Sequence, residues 1–412
     1  MKHIPKWLAL VGALALVGAG CGDDGEGGDG AEPTSAPVVS EIGELEDELS
    51  LIAWHGYTED GTTEGYEMYD WVTPFEDETG CDVQVKYADS SDEMYNLMTT
   101  QSGSYDGVSA SGDASNRLIA SGAVSAVDPA LFPDFANVIE PLRVDGSDSG
   151  HYVVDGRVYG TPYMYGPNFL MYNSDEVDPA PTSWDVVFEA DSPYAGKITA
   201  FDVPIYIADA AMYLMTTQPD LGITDPYELT EAQLDAAVEV LKTQEPMVSG
   251  YWDLYTEEID GFANGSMVVG TAWPVNLSLL ELENPAIMPA EPVEGMTGWA
   301  DTWMMSSEAP HPNCMLEWMK WTMAADVQAE VAEYYGAAGS NIESCDILRA
   351  SLDEQFDFGD AVDSVRYGYC GDVEFLDSLY LWKTPQATCG DGRTDCMDYS
   401  VWQQKWTEFR GD

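Results

Sequence analysis

The stretch CDVQVKYADSSDEMYNLM, residues 81–98, changes its period in the middle. Val83, Val85 and Tyr87 alternate with polar neighbours as in a half-buried strand. Ser90 or Ser91 then supplies the hydroxyl that caps a helix, which the second half of the stretch continues. Upstream, the apolar run LSLIAW, with 50–54 at its core, ends at His55-Gly56-Tyr57 and reads as a buried strand opening into a loop. Between the two strands, Tyr66, Tyr69, Val72 and Phe75 recur near helical spacing over Tyr66–Thr79, with Gly80 as the stop. Downstream, YDGVSAS offers a third strand. Strand, helix, strand, helix, strand is the alternation of an α/β fold, a mostly parallel sheet flanked by helices.

The remaining chain extends this pattern. LTEAQLDAAVEVLKTQEP carries Thr230 and Gln233 at capping-box spacing, Leu229 and Leu234 as a hydrophobic staple, and Leu234, Val238 and Leu241 on one face. MVVGTAW (267–273) reads as a buried strand ending in Trp273, and CMLEWMKWTMAADVQAEVAEYYG as one long helical region closed by Gly336. Ligands of open α/β sheets settle at the carboxyl ends of strands. Trp54, the loop Ser109–Asp113 and Trp273 lie at such ends. A chain of 412 residues is long enough for two lobes, since single cores stop growing near about 250 to 300 residues.

Charge excludes whole classes of partner. With 74 Asp plus Glu against 15 Lys plus Arg, the net charge is −59, which repels nucleic acid and anionic lipid. Such acidity keeps a protein dispersed in concentrated salt, where the Debye length shrinks to ~3 Å at 1 M, and so points to a saline habitat. The N-terminus, MKHIPKWLALVGALALVGAGC, has Lys2 and Lys6 before an apolar run from Trp7 to Gly20. That run is short of the roughly 20 residues a spanning helix needs and reads as an export signal over 1–20. Gly-Ala-Gly before Cys21 resembles a lipobox, which would make Cys21 a lipidated mature N-terminus; Gly18 stands where Leu or Val is usual, and ordinary cleavage with Cys21 free is the alternative. Residues 21–49 are expected to be a tether, and from Gly22 to about Pro37 the composition is too polar to fold.

Removing Cys21 from the seven cysteines leaves six, an even set that in an exported chain favours disulfides. Proximity favours Cys389 with Cys396, closing the loop CGDGRTDC; a calcium site there would lack ligand spacing and a terminal Glu. Counting alone does not pair Cys81, Cys314, Cys345 and Cys370. His55, His151 and His311 are scattered, without metal-ligand spacing, and neither a nucleophile elbow nor a phosphate-binding glycine loop follows a strand. Neither metal nor cofactor is expected, and the signal for catalysis is weak.

Aromatic residues are the louder signal, with 13 Trp and 23 Tyr, many beside Gly or Pro at strand ends. In TGWADTWMM, 297–305, a strand would turn Trp299, Asp301 and Trp303 to one side. One reading is a core strand whose Asp is satisfied by backbone donors. The other is a grip for an organic cation. A cation over an indole gains roughly 0.5 to 2 kcal/mol and a charge-assisted hydrogen bond roughly 1.5 to 3, so two or three aromatics with one or two acids could hold a small amine at about micromolar affinity after ordering costs.

Several segments carry a family resemblance: IAWHGY, YDWVTPFEDETGCDVQVKYADSSDEM, YDGVSASGDAS, YGTPYMYGPNFLMYN, PTSWDVVF, PIYIADAA, GTAWP, TGWADTWM, HPNCMLEWMKW and FLDSLYLWKTP. From about residue 50 to the end, the chain resembles the polyamine-type solute-binding proteins of ABC importers, the spermidine/putrescine-binding family, and particularly its YdcS-like branch. The resemblance implies a two-lobed type II periplasmic-binding-protein fold, each lobe a mixed, mostly parallel sheet flanked by helices, with a hinge between. Lobe I would comprise 50–161 and 298–337, lobe II 162–297 and 338–412, with crossings near Tyr159–Gly166, near Gly295–Asp301 and after Gly336. It also implies the pairings Cys81 with Cys314 and Cys345 with Cys370.

By the same resemblance, Trp54 and Tyr57 match cleft aromatics, Ser111 a polar contact and Trp273 a second-lobe wall, while Trp299 and Asp301 match the indole and acid that receive an amine. Trp303 falls to the core, and Tyr165 joins the ligand set. Two departures stand out: Val203 and Tyr206 occupy the positions of the family's paired acids, and Asp113 that of a tyrosine. Asp301 and Asp113 are therefore expected to share the cationic ends of the ligand, with Asp202 and Tyr206 as further candidates. The implied protein is an exported, lipid-anchored monomer that hands a polyamine to a membrane permease with its ATPase. An exported enzyme acting on small amines or esters, and a sensor using the same clamp, are the alternative classes.

Overall fold

The computed structural model describes residues 37–353 and 363–411. The export signal, Cys21 and the tether as far as residue 36 lie outside them. From Pro37 onward the expected tether is instead packed: Val39 bridges Val127, and the Glu46 carboxylate accepts the backbone N–H groups of Asn313 and Cys314 at the start of the helix Pro312–Trp321. An acid there neutralises the positive end of the helix dipole, which is why a polar stretch is held.

Two sheets divide the strands. In chain order these are β1 (Glu48–Ala53), β2 (Asp82–Tyr87), β3 (Gly107–Ser111), β4 (Val153–Val154), β5 (Arg157–Val158), β6 (Thr161–Pro167), β7 (Phe169–Asn173), β8 (Ile198–Phe201), β9 (Val248–Trp252), β10 (Val269–Ala272), β11 (Ile287–Ala290), β12 (Met296–Met305), β13 (Ala338–Gly339) and β14 (Leu379–Leu381). The first sheet has seven strands ordered β13-β6-β12-β3-β1-β2, with β14 also paired to β12. The second has five, ordered β11-β7-β10-β8-β9, while β4 and β5 form a separate ribbon. The alternation around residues 81–98 appears as β1, helix α1 (Val72–Thr79), β2, helix α2 (Ser91–Thr100), β3 and helix α3 (Gly112–Ser121). β1 runs parallel to both β2 and β3, whereas β12 is antiparallel to β3 and β6. Both sheets are thus mixed, and antiparallel pairing falls on the strands next to a crossing between lobes.

By sheet membership, the first crossing lies slightly later in the chain than expected and the second slightly earlier. β6 stays in the first sheet to Pro167 and β7 opens the second at Phe169, so the chain changes lobe at Asn168. It returns between Ala290 and Met296, and β13 and β14 bring part of 338–412 back to the first sheet. The helix Tyr399–Gly411 then packs against the second lobe's helix Glu231–Gln244.

Local chemistry accounts for most element ends. Ser90, not Ser91, caps α2 by accepting the Glu93 N–H at 3.2 Å. The capping box of Thr230 and Gln233 forms, and Leu229 and Leu234 are both buried. α1 starts at Val72 rather than Tyr66, because the chain from Thr63 to Tyr69 is spent in turns that stack Tyr66 on Tyr69. The long helical region breaks into Pro312–Trp321 and Ala325–Tyr335, with Ala324 extended and the Gln328 side chain donating to the Thr322 carbonyl. Disulfides join Cys81 to Cys314, Cys345 to Cys370 and Cys389 to Cys396.

Candidate functional site

The first lobe delivers its aromatic residues from the end of β1. Trp54 donates its backbone N–H to the Ser109 hydroxyl at 3.2 Å, and Tyr57 follows after a turn whose Gly56 has φ of +84°. A Cβ at that glycine would sit 2.9 Å from the Tyr334 ring, so this turn both needs and conceals a glycine. Where a loop was expected at 109–113, β3 runs to Ser111 and α3 begins at once with Gly112, which places Asp113 in the first helical turn.

Opposite Ser111 in the antiparallel register lies Asp301 of β12. The pairing of β12 with β6 shifts between Ala300 and Thr302, so Asp301 stands at a bulge, a device that re-aims a side chain. Its Oδ1 accepts the Ser111 hydroxyl and its Oδ2 the Tyr57 hydroxyl, both at 2.5 Å. Only 4% of Asp301 is exposed. Burial pushes its carboxyl up to about 7, the two hydroxyls pull it back, and Asp113 adds a further upward push.

Around the carboxylate stands a box of rings. Trp299 projects from β12 two residues away and meets Tyr335 edge-on, with centroids 6.4 Å apart. Tyr335 also packs on Tyr57 at 5.2 Å. The second lobe supplies Trp273 at the end of β10, 6.3 Å from Trp54. Trp382, just past β14, stacks on Phe201 at 5.8 Å and 7°. Trp54, Tyr57, Trp273, Trp299, Tyr335 and Trp382, with Ser111 and Asp301, line an inner cavity of about 20 Å³. Trp303 lies outside it, in the core between Tyr163 and Trp318, as expected.

An outer cavity of about 270 Å³ shares Trp54 and Trp382 with the inner one and is lined by Asp92, Asp113, Asp202 and Asp253. Most of these acids already have partners. Asp202 takes Arg410 through both oxygens at 2.9 Å, while Asp92 takes Arg117 at 2.7 Å and Gln403 at 2.9 Å. Asp113 accepts the Ser91 hydroxyl at 2.8 Å, and burial raises its carboxyl to about 6, against the pull of Arg117.

Of the residues expected from the sequence, Trp54, Tyr57, Ser111, Trp273, Trp299 and Asp301 meet at the inner cavity, and Asp113 and Asp202 line the outer one. Tyr165 and Tyr206 line neither. Tyr165 donates to the Tyr369 carbonyl and accepts the Gly371 N–H, both at 3.0 Å, while Tyr206 accepts from Gln244 at 2.9 Å inside the second lobe. Tyr335 and Trp382 went unforeseen. Trp382 follows a short strand, as Trp54 and Trp273 do, and that placement was the available signal; Tyr335 ends a helix, where the strand-end rule does not reach. Among the described residues no cluster of His, Cys, Asp and Glu is arranged to hold a metal, and no helix is long and apolar enough to cross a membrane.

Comparison with known proteins now bears on this geometry. The chain is 23% identical over 344 residues to the spermidine/putrescine-binding periplasmic protein of Escherichia coli, covering 81% of this chain and 92% of that one. It is 23% identical over 312 residues to the putrescine/agmatine-binding protein of Pseudomonas aeruginosa, covering 70% and 81%. The crystal structure of the spermidine/putrescine ABC transporter substrate-binding protein of Streptococcus pneumoniae superposes with a TM-score of 0.63 at 18% identity, over 89% of this chain and 99% of that one. The family model of bacterial extracellular solute-binding proteins matches residues 70–346, well over half the chain. The chain, a two-lobed α/β protein with a ring-lined carboxylate at its β12 crossing strand, belongs to the bacterial extracellular solute-binding protein family.

Proposed function

We propose that this protein captures a small organic cation of the polyamine class between its lobes and delivers it to an ABC permease and its ATPase. The observation that carries this reading is the Asp301 carboxylate, buried, fixed by two hydroxyls and surrounded by rings from both lobes. A cation among these faces gains about 0.5 to 2 kcal/mol from a good ring contact. Its charge also relieves a carboxylate that burial disfavours. The ligand set is Trp54, Tyr57, Ser111, Trp273, Trp299 and Asp301, joined by Tyr335 and Trp382. Asp113 is assigned to a second cationic end, in the outer cavity. Asp202 is set aside because Arg410 already occupies both its oxygens.

The polyamine class is also what the names of the similar proteins carry. Calorimetry with putrescine and spermidine on the wild type, Asp301→Asn and Asp113→Asn tests the reading, and unchanged affinity in both variants removes it. Export and lipid anchoring through Cys21 belong to the same proposal. Fatty-acid labelling of the wild type but not of Cys21→Ser is the expected outcome.

A further inference from the structure

Four buried indoles line the inner cavity, Trp54, Trp273, Trp299 and Trp382, and none of their N–H groups has an acceptor within the protein. An indole N–H only donates, and a buried donor left without a partner is costly. Core indoles such as Trp303 and Trp318 lack a partner too, but they line neither cavity, so no guest reaches them. The cavity's acceptors suit a different task. Each oxygen of Asp301 takes one hydroxyl and keeps a second lone pair, which an ammonium can use. A space of about 20 Å³ has room for one such group or one water. An ammonium seated there accepts nothing, so it leaves the indole donors unanswered.

Trp54 and Trp382 also line the outer cavity of about 270 Å³, so their N–H groups stand where the two spaces meet. A plain alkyl chain running from one space to the other lays only C–H groups against them. We infer that the substrate carries, a few atoms behind the ammonium beside Asp301, an uncharged oxygen that accepts from Trp54 and Trp382, so that the substrate class is hydroxylated or amide-bearing amines. A carboxylate in that place would face Asp301 and Asp113, which line the same two cavities, and like charges so close repel. This inference rests on the cation-capture reading above and narrows it. The acid selects the charge, and the indole N–H groups select the oxygen behind it.

The test is competitive calorimetry on the full mature chain with matched pairs, 2-hydroxyputrescine against putrescine, ethanolamine against ethylamine, and 4-aminobutanamide against 4-aminobutyrate. The expected result is binding about tenfold tighter for the first member of each pair, the equivalent of one donor satisfied. Trp54→Phe and Trp382→Phe keep a ring face and remove the N–H. Because a weaker ring contact affects both members of a pair alike, the ratio isolates the hydrogen bond, and each variant is expected to bring the first two ratios toward one. Thermal unfolding confirms that the variants are folded, and the wild-type ratios decide if either is not. Equal or tighter binding of putrescine and ethylamine overturns the inference and leaves cation capture standing. Ratios that persist in both Phe variants overturn the part assigned to these indoles, and tighter binding of 4-aminobutyrate overturns the requirement for an uncharged oxygen. Failure of every compound to bind overturns the cation reading and this inference with it.

Discussion

In the outer cavity, Asp92 and Asp202 hold guanidinium groups supplied by the chain itself, Arg117 and Arg410. In the inner cavity, Asp301 holds only two hydroxyls. Both spaces are acidic and aromatic and share Trp54 and Trp382. The difference is whether the protein has already neutralised its own charge. A carboxylate with a bidentate arginine has little left for a guest. One fixed by hydroxyls has its geometry set and its charge unspent. In a protein of net charge −59, acids are everywhere, so the informative quantity is which acid lacks a cation of its own.

The sharpest way to break this contrast is to remove one carboxylate from each cavity. Asp301→Asn is expected to weaken cation binding about a hundredfold, within the range for truncating one partner of a buried, hydrogen-bonded charge pair. Asp202→Asn is expected to stay within about threefold, since a pair about one-third exposed is screened by solvent and contributes little. Calorimetry on both variants measures the difference, and comparable losses would erase the distinction between the cavities.

Protonation gives the next largest effect. The ligand-free Asp301 carboxyl is held up to about 7, chiefly by burial, and a cation favours its ionised form. Below that pH the protein must release a proton to bind, so affinity is expected to fall toward tenfold per pH unit. The stability of the ligand-free protein moves the other way with pH. A carboxyl whose folded value lies above its unfolded one binds more protons when folded, so between about pH 4 and 7 Asp301 and Asp209, both raised to about 7 by burial, favour the folded state more as pH falls. Calorimetry across this range in buffers of different ionisation enthalpy reads the proton release, which Asp301→Asn should abolish.

Much of this contrast was legible in the sequence, for identifiable reasons. Strand periodicity placed Trp54 and Trp273 at strand ends and put Trp299 and Asp301 on one face of β12, because those relations are local. The capping box at Thr230 was legible for the same reason. What the sequence hid was partnership at long range. Arg410 lies 208 residues from Asp202, and nothing near either residue announces the pair. Tyr335 and Trp382 reach the cavity through β6, β12, β13 and β14, whose pairing order is not a local property. Which sheet Thr161–Pro167 joins is likewise set by pairing at long range, since a strand buried at every residue carries no alternation to read.

A smaller effect separates the walls from the charge. Trp273→Ala is expected to lower affinity about tenfold, at the upper end of what a desolvated cation gains from one indole face. Trp273 also packs on Phe201 and Trp252 at 5.0 and 4.8 Å, so unfolding must be followed in parallel. A loss as large as that of Asp301→Asn would mean that the rings, and not the carboxylate, dominate the grip.

The smallest expected change is also the most discriminating, because it should turn the outer cavity into something more like the inner one. Arg410→Gln leaves Asp202 without its guanidinium and removes the cation stacked 3.7 Å above Tyr251. Spermidine, long enough to reach beyond the inner cavity, should gain about two- to threefold at low ionic strength, in keeping with the modest value of exposed ion pairs. Methylammonium, too short to reach from Asp301 to the outer cavity, should not respond. Near 1 M salt, where the Debye length is ~3 Å, the gain should vanish, because the uncovered carboxylate is about one-third exposed and is screened. A gain that persisted in high salt would place the freed charge in direct, water-excluded contact with the ligand, and Asp202 would then belong with Asp301 rather than opposite it.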